Sequence, residues 1–107
     1  MNIIYWLILA LGIIFEVLGT ICMKLADGFQ KLWPSVFVFV FYLMCLVCLI
    51  FVLKKMNVSV AYAIWAGLGT ALIAVIGIVW FKEPISWVKI VSIILIVMGI
   101  VGLELYD

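Results

Sequence analysis

The sequence predicts an all-α membrane protein of four transmembrane helices, and three observations point there. Of its 107 residues, 72% are apolar and only 10% are charged, too few to cover a soluble domain of this size. A bilayer core about 30 Å thick needs roughly 20 apolar residues per spanning helix, so four spans consume nearly the whole chain. The polar residues gather at three short breaks, around Lys24–Lys31, Lys54–Asn57 and Lys82–Pro84. These features leave no room for a nucleotide-binding fold or a ligand-capturing ectodomain. The net charge of +1 offers no footprint for nucleic acid.

The first span is expected over residues 3–23, closed by Lys24-Leu25-Ala26-Asp27-Gly28. Gly28 suits the left-handed residue that stops a helix, and Lys24 suits the negative end of the helix dipole. The segment lacks the basic start and the small-residue cleavage site of a signal peptide, so it should remain in the membrane. The second span, over 33–53, begins at Trp33-Pro34-Ser35, where proline is tolerated because first-turn amides lack helical partners. The third is expected over 58–81. A tight turn at Lys82-Glu83-Pro84 should lead to the fourth, over 85–105.

Connections this short make neighbouring helices antiparallel and place both termini on one side. Trp6, Trp33, Trp80, Trp87 and Tyr106 fall near span ends, where amphipathic rings favour the interface. Lys54 and Lys55 lie on the side of the termini, with Lys24, Lys31, Lys82 and Lys89 opposite. Two lysines against four is a weak bias, narrowed further by the terminal amine. It permits insertion both ways up or a mild preference for the termini outside.

Glu16 is the one charge out of place. Apolar or small residues flank it from Ile3 to Phe15 and from Val17 to Met23. A carboxylate at the bilayer centre costs at least a few kcal/mol, and such residues usually face a protein interior or an aqueous cavity. Leu9, Gly12, Gly19, Thr20 and Met23 share its helix face, and Ile13 borders it. Small residues at i−4, i+3 and i+4 leave volume beside the carboxylate, for a ligand or for a closely packed helix. Desolvation and a second copy nearby both disfavour the charged form, so the group should exchange a proton in the physiological range. No lysine lies deep in a span, which leaves a cation from outside as the charged partner.

In the third span Tyr62 and Trp65 share a face with Ala66 and Gly69. Their ring faces suit a desolvated organic cation, and their polar tips need partners such as a carboxylate from another helix; aromatic packing is the plainer use. Gly67-x-Gly69 lowers helix propensity and offers a hinge. Tyr42 of the second span is a further mid-membrane hydroxyl for the same network. Ser92 and Gly99, seven residues apart in the fourth span, form a small-residue stripe suited to a subunit contact.

Cys45 and Cys48 form a C-x-x-C, and Cys22 lies in the first span, but without histidines or a second cysteine pair they read as core-filling thiols. Neither a metal nor any other cofactor is implied. The chain also lacks a nucleophile–base pair, so an enzyme is not expected.

Taken together, Glu16-Val17-Leu18-Gly19-Thr20, Met23-Lys24, Asp27-Gly28-Phe29, Leu32-Trp33-Pro34-Ser35 and Ala61-Tyr62-Ala63-Ile64-Trp65-x-Gly67-x-Gly69 resemble the small multidrug resistance transporters over essentially the full length. The resemblance implies an antiparallel, dual-topology homodimer in the inner (plasma) membrane that exchanges protons for cationic substrates at paired glutamates. It implies that role for Glu16, with Tyr42, Tyr62 and Trp65 lining the site, Gly67 and Gly69 bending the third helix, and the fourth helix holding the dimer. The guanidinium-exporting branch carries Trp where this chain has Gly19, and Gly19-Thr20 is similar to the quaternary-ammonium and multidrug branch. Ala66 stands where that branch often has Ser. The alternatives are a guanidinium exporter, one member of a pair of paralogues, and a non-transporting assembly subunit in which Glu16 only glues helices.

Overall fold

The computed structural model describes residues 3–106, the side chain of Tyr106 excepted. The terminal amine and the Tyr106 ring lie outside the described residues. Within it the chain forms four helices, α1 (Ile3–Ala26), α2 (Leu32–Val52), α3 (Val58–Val79) and α4 (Trp87–Tyr106). All four are long and apolar enough to cross a membrane.

The ends of the helices show which local signals win. α1 runs three residues past the expected stop, because Lys24-Leu25-Ala26 continues the helix before Asp27, Gly28 and Phe29 turn left-handed at φ 51°, 66° and 67°. Gly28 takes this conformation without a clash, and the Lys31 amide closes the turn by donating to the Ala26 carbonyl at 3.2 Å. Pro34 sits in the first turn of α2, where its missing N–H is not needed.

The expected tight turn at Lys82–Pro84 is instead a longer non-helical stretch through Ser86, and α4 starts at Trp87 rather than Ile85. Ser86 is the reason. Its hydroxyl accepts from the Lys89 amide at 3.1 Å and its carbonyl from the Ile90 amide at 3.1 Å, the two bonds of a serine N-cap. The helix also stops earlier at the end of α3, where Trp80 and Phe81 leave the helix as a stacked pair with centroids 5.5 Å apart.

α1 packs against α2 and α3, and α3 packs against α4. Helices of 20 to 24 residues are roughly 30–36 Å long, so one of the long dimensions of the 42 × 35 × 17 Å molecule is its height. Its width is then more than twice its thickness, a slab rather than a square bundle. The core lies where α1, α3 and the α2–α3 connection meet, around Leu9, Ile13, Val17, Val52, Met56 and Ile64. α4 is the least covered helix, with 6% of its spanning window buried against 33% for α1. Its apolar surface must be covered by lipid or by another chain.

Candidate membrane-embedded carboxylate site

Glu16 is half-buried near the middle of α1, and its Oε2 is buried without a hydrogen-bond partner. The carboxylate rests on α3 at Gly69. A β-carbon at Gly69 would fall onto Glu16 Oε2 and lie 3.2 Å from Cδ, so this approach requires glycine. Among the described residues no cation lies within ion-pair distance of Glu16; the pair that forms, Lys89–Glu83, is outside the spanning core.

Tyr42 reaches this region from α2. Its ring lies on Gly19, where a β-carbon would stand 2.7 Å from both Cδ2 and Cε2. The ring carries the phenol to Thr20, with the two hydroxyl oxygens 2.6 Å apart. Thr20 donates its single proton to the Glu16 backbone carbonyl at 2.9 Å, which leaves Tyr42 as donor to Thr20. Met23 Sδ, 3.9 Å from the phenol, is a second acceptor for that same proton.

On α3, Tyr62 and Trp65 meet edge to face with ring centroids 5.3 Å apart. Trp65 Nε1 is buried and finds no oxygen or nitrogen acceptor among the described residues, with the Cys45 thiol of α2 beside it. Gly69 follows Trp65 by one turn on the same face. Among the described residues the structure therefore leaves a buried acceptor on α1, Glu16 Oε2, without a partner and gives the buried indole donor on α3 only a weak thiol neighbour. The carboxylate partner anticipated for Tyr62 or Trp65 is not made within one subunit, and Tyr62 is 56% exposed.

The other candidate residues divide. Glu16, Thr20, Tyr42 and Gly69 come together, joined by Gly19 through the Tyr42 ring. Leu9 and Ile13 are core residues, 2% and 4% exposed, that also edge a separate cavity between α1, α3 and α4. The space beside Gly12 holds Cys48, whose Cβ would lie 3.1 Å from an added β-carbon. Within the subunit, then, the small residues of the Glu16 face admit α2. Ala66 is half-buried, and its carbonyl accepts from Thr70. α3 is helical throughout Val58–Val79, and Gly67 is the point where α4 crosses it, 2.8 Å separating its β-carbon position from Ile100 Cδ1. Ser92 and Gly99 are exposed on α4, with open space over Gly99.

Two relationships escape a reading of the sequence, the Gly69 contact with Glu16 and the seating of Tyr42 on Gly19. For Gly69 a signal is present, since it shares the face of Tyr62 and Trp65. For Gly19 and Tyr42 no periodicity within a single helix contains the pairing.

Comparison with known proteins gives one consistent result. The Small Multidrug Resistance protein family matches residues 4–96. An uncharacterized membrane protein of Bacillus subtilis, YvaE, is 48% identical over 102 residues, covering 95% of this chain and 86% of the relative. The quaternary ammonium compound-resistance protein QacH of Staphylococcus saprophyticus is 38% identical over 101 residues, 94% of each chain. The multidrug resistance protein EbrB of Bacillus subtilis is 42% identical over 98 residues, 92% of this chain and 84% of the relative. A chain of four long apolar helices with the Glu16 carboxylate held among them, matched along nearly its whole length, is a multi-pass membrane protein belonging to the small multidrug resistance family.

Proposed function

We propose that this chain is a proton-coupled exporter of hydrophobic organic cations, quaternary ammonium and aromatic cations among them. The observation that carries this reading is Glu16, whose buried Oε2 has no hydrogen-bond partner among the described residues. A carboxyl group in that position has two stable partners available, a proton bound to it or a cation beside it. When the two exclude each other, movement of one down its gradient drives the other against its own. Tyr42, Tyr62 and Trp65 supply aromatic surface for a desolvated cation. Gly19 lets the Tyr42 ring lie close to the site and Gly12 admits Cys48 of α2, and Gly67 and Gly69 give α3 a place to bend between inward- and outward-open forms.

One subunit is insufficient for this cycle, and the flat, thinly covered shape supports pairing. Two copies in opposite orientation would supply the inverted repeat that larger transporters encode in one chain, and would bring two Glu16 carboxylates to one site. Ser92 and Gly99 on the exposed stripe of α4 are the contact through which the copies pack. The resistance to quaternary ammonium compounds named for the Staphylococcus relative agrees with the absence of a bulky side chain at Gly19.

The test is transport by the purified protein in liposomes across a panel of cations, with and without a pH gradient. Uptake of quaternary ammonium driven by an imposed proton gradient is expected. Proton release on adding such a cation to detergent-solubilised protein separates exchange from a gluing role for Glu16, which would release none. Transport that needs co-expression of a second paralogue would replace the homodimer with a pair.

A further inference from the structure

Glu83 makes a close backbone contact of its own, away from Glu16. It lies in the connection between α3 and α4, residues 80–86. Its amide donates to the Gly77 carbonyl at 3.0 Å. Its carboxylate lies on the same residue, where a β-carbon would touch Oε1 and stand 3.0 Å from Cδ. Lys89, in the first turn of α4, holds that Oε1 at 3.3 Å. The connection is thus tied to the end of α3 and the start of α4 through one side chain. Lys82 takes φ 55°, a region that side-chain-bearing residues seldom enter, so the backbone accepts strain to make this turn.

Beneath the connection is a cavity of about 200 Å³ between α1 and α3, bordered by Thr20, Lys24, Ile73, Gly77, Phe81 and Glu83. Thr20 stands at its deep end, bonded to the Glu16 carbonyl and to Tyr42. Lys24, Phe81 and Glu83 stand at the other, near the helix ends. The cavity therefore leads from the hydroxyl network beside Glu16 towards the loop side, where Phe81 and Glu83 of the connection line it.

We infer that the connection 80–86 is a strap closing the loop-side end of this cavity, with Glu83 the positioning residue that seats it on Gly77, and that release of Glu83 admits water. The fastening is weak enough to open. Glu83 and Lys89 are 47% and 29% exposed, and an ion pair so open to water contributes little. It is also specific, since only glycine at position 77 leaves room for the carboxylate. The inference rests on these contacts and holds whether or not Glu16 exchanges protons.

The experiment uses the full chain in lipid nanodiscs with Cys22, Cys45 and Cys48 replaced by alanine and Ala74→Cys as reporter, since Ala74 lies on the α3 wall of the cavity. A charged, water-soluble methanethiosulfonate is the probe. Gly77→Ala and Glu83→Ala should each label roughly fivefold faster than the parent, the shift expected from losing one exposed fastening. Lys89→Arg, which keeps the pair, should label at the parent rate. The Glu83 amide of Gly77→Ala should also lose protection from hydrogen exchange, with unchanged protection across α1 showing that the fold is intact. Unchanged labelling in both Gly77→Ala and Glu83→Ala overturns the strap.

Discussion

Gly69 and Glu16 are in contact across the α1–α3 interface, with the carboxylate occupying the volume that a β-carbon at position 69 would fill. Gly69→Ala must therefore push the carboxylate away or part the helices. Overpacking of this sort costs about 1–3 kcal/mol. If the carboxylate holds the cation, the cost falls on binding, and affinity for a quaternary ammonium compound should drop roughly tenfold. Isothermal titration of both proteins measures this. Full affinity in Gly69→Ala would mean that the bound state does not use the carboxylate position seen here.

Glu16→Gln keeps the shape of the side chain and removes its ability to hold or release a proton. The mutant should fold and pair but perform no exchange, read as the absence of proton-driven uptake in liposomes. Uptake at the wild-type rate would remove Glu16 from the coupling. Glu16→Asp retains an acid, shorter by one methylene and so set back from Gly69, and should remain active with a changed pH profile.

Under the proposed exchange, in which one carboxylate serves both, proton and cation should compete. As pH falls, the protonated and neutral fraction of Glu16 grows, and the cation loses its counter-charge. Apparent affinity should weaken towards acid, roughly tenfold per pH unit below the midpoint when one proton is displaced. It should level off in alkali, where the carboxylate is already free. Titration calorimetry from pH 5 to 9 checks the sign, and affinity constant across that range contradicts a shared site.

The four spans were legible in the sequence because a bilayer imposes a length and a composition that few other folds satisfy. Glu16 was legible for the same reason, as a charge where the solvent is hydrocarbon. What packing decides was not. Gly19 and Thr20 are small residues beside an acid in the sequence, and nothing there says that Tyr42 of α2 fills the space next to them. The azimuth of one helix against another sets that contact, and it depends on all the side chains at the interface. The start of α4 was obscured by a competing signal. Pro84 marks a plausible helix start, but the capping geometry belongs to Ser86, two residues on.

Gly19 bears most directly on the substrate proposed for the protein. Its position lies one turn from Glu16 and under the Tyr42 ring, with two ring carbons 2.7 Å from where a β-carbon would be. Any side chain there must displace Tyr42. In Gly19→Trp the indole would occupy the ring's place, breaking the 2.6 Å contact between Tyr42 and Thr20. It would also present an N–H one turn from the carboxylate. The site would become narrower and more polar, fit for a small planar cation and closed to a multi-ring one. Wild-type protein should therefore export benzyl-substituted quaternary ammonium, and Gly19→Trp should lose that compound before it loses guanidinium. Solid-supported-membrane currents for both cations on both proteins give the comparison. A wild type that moves guanidinium well and ignores the quaternary compound would overturn the proposed substrate while leaving the proposed exchange at Glu16 standing.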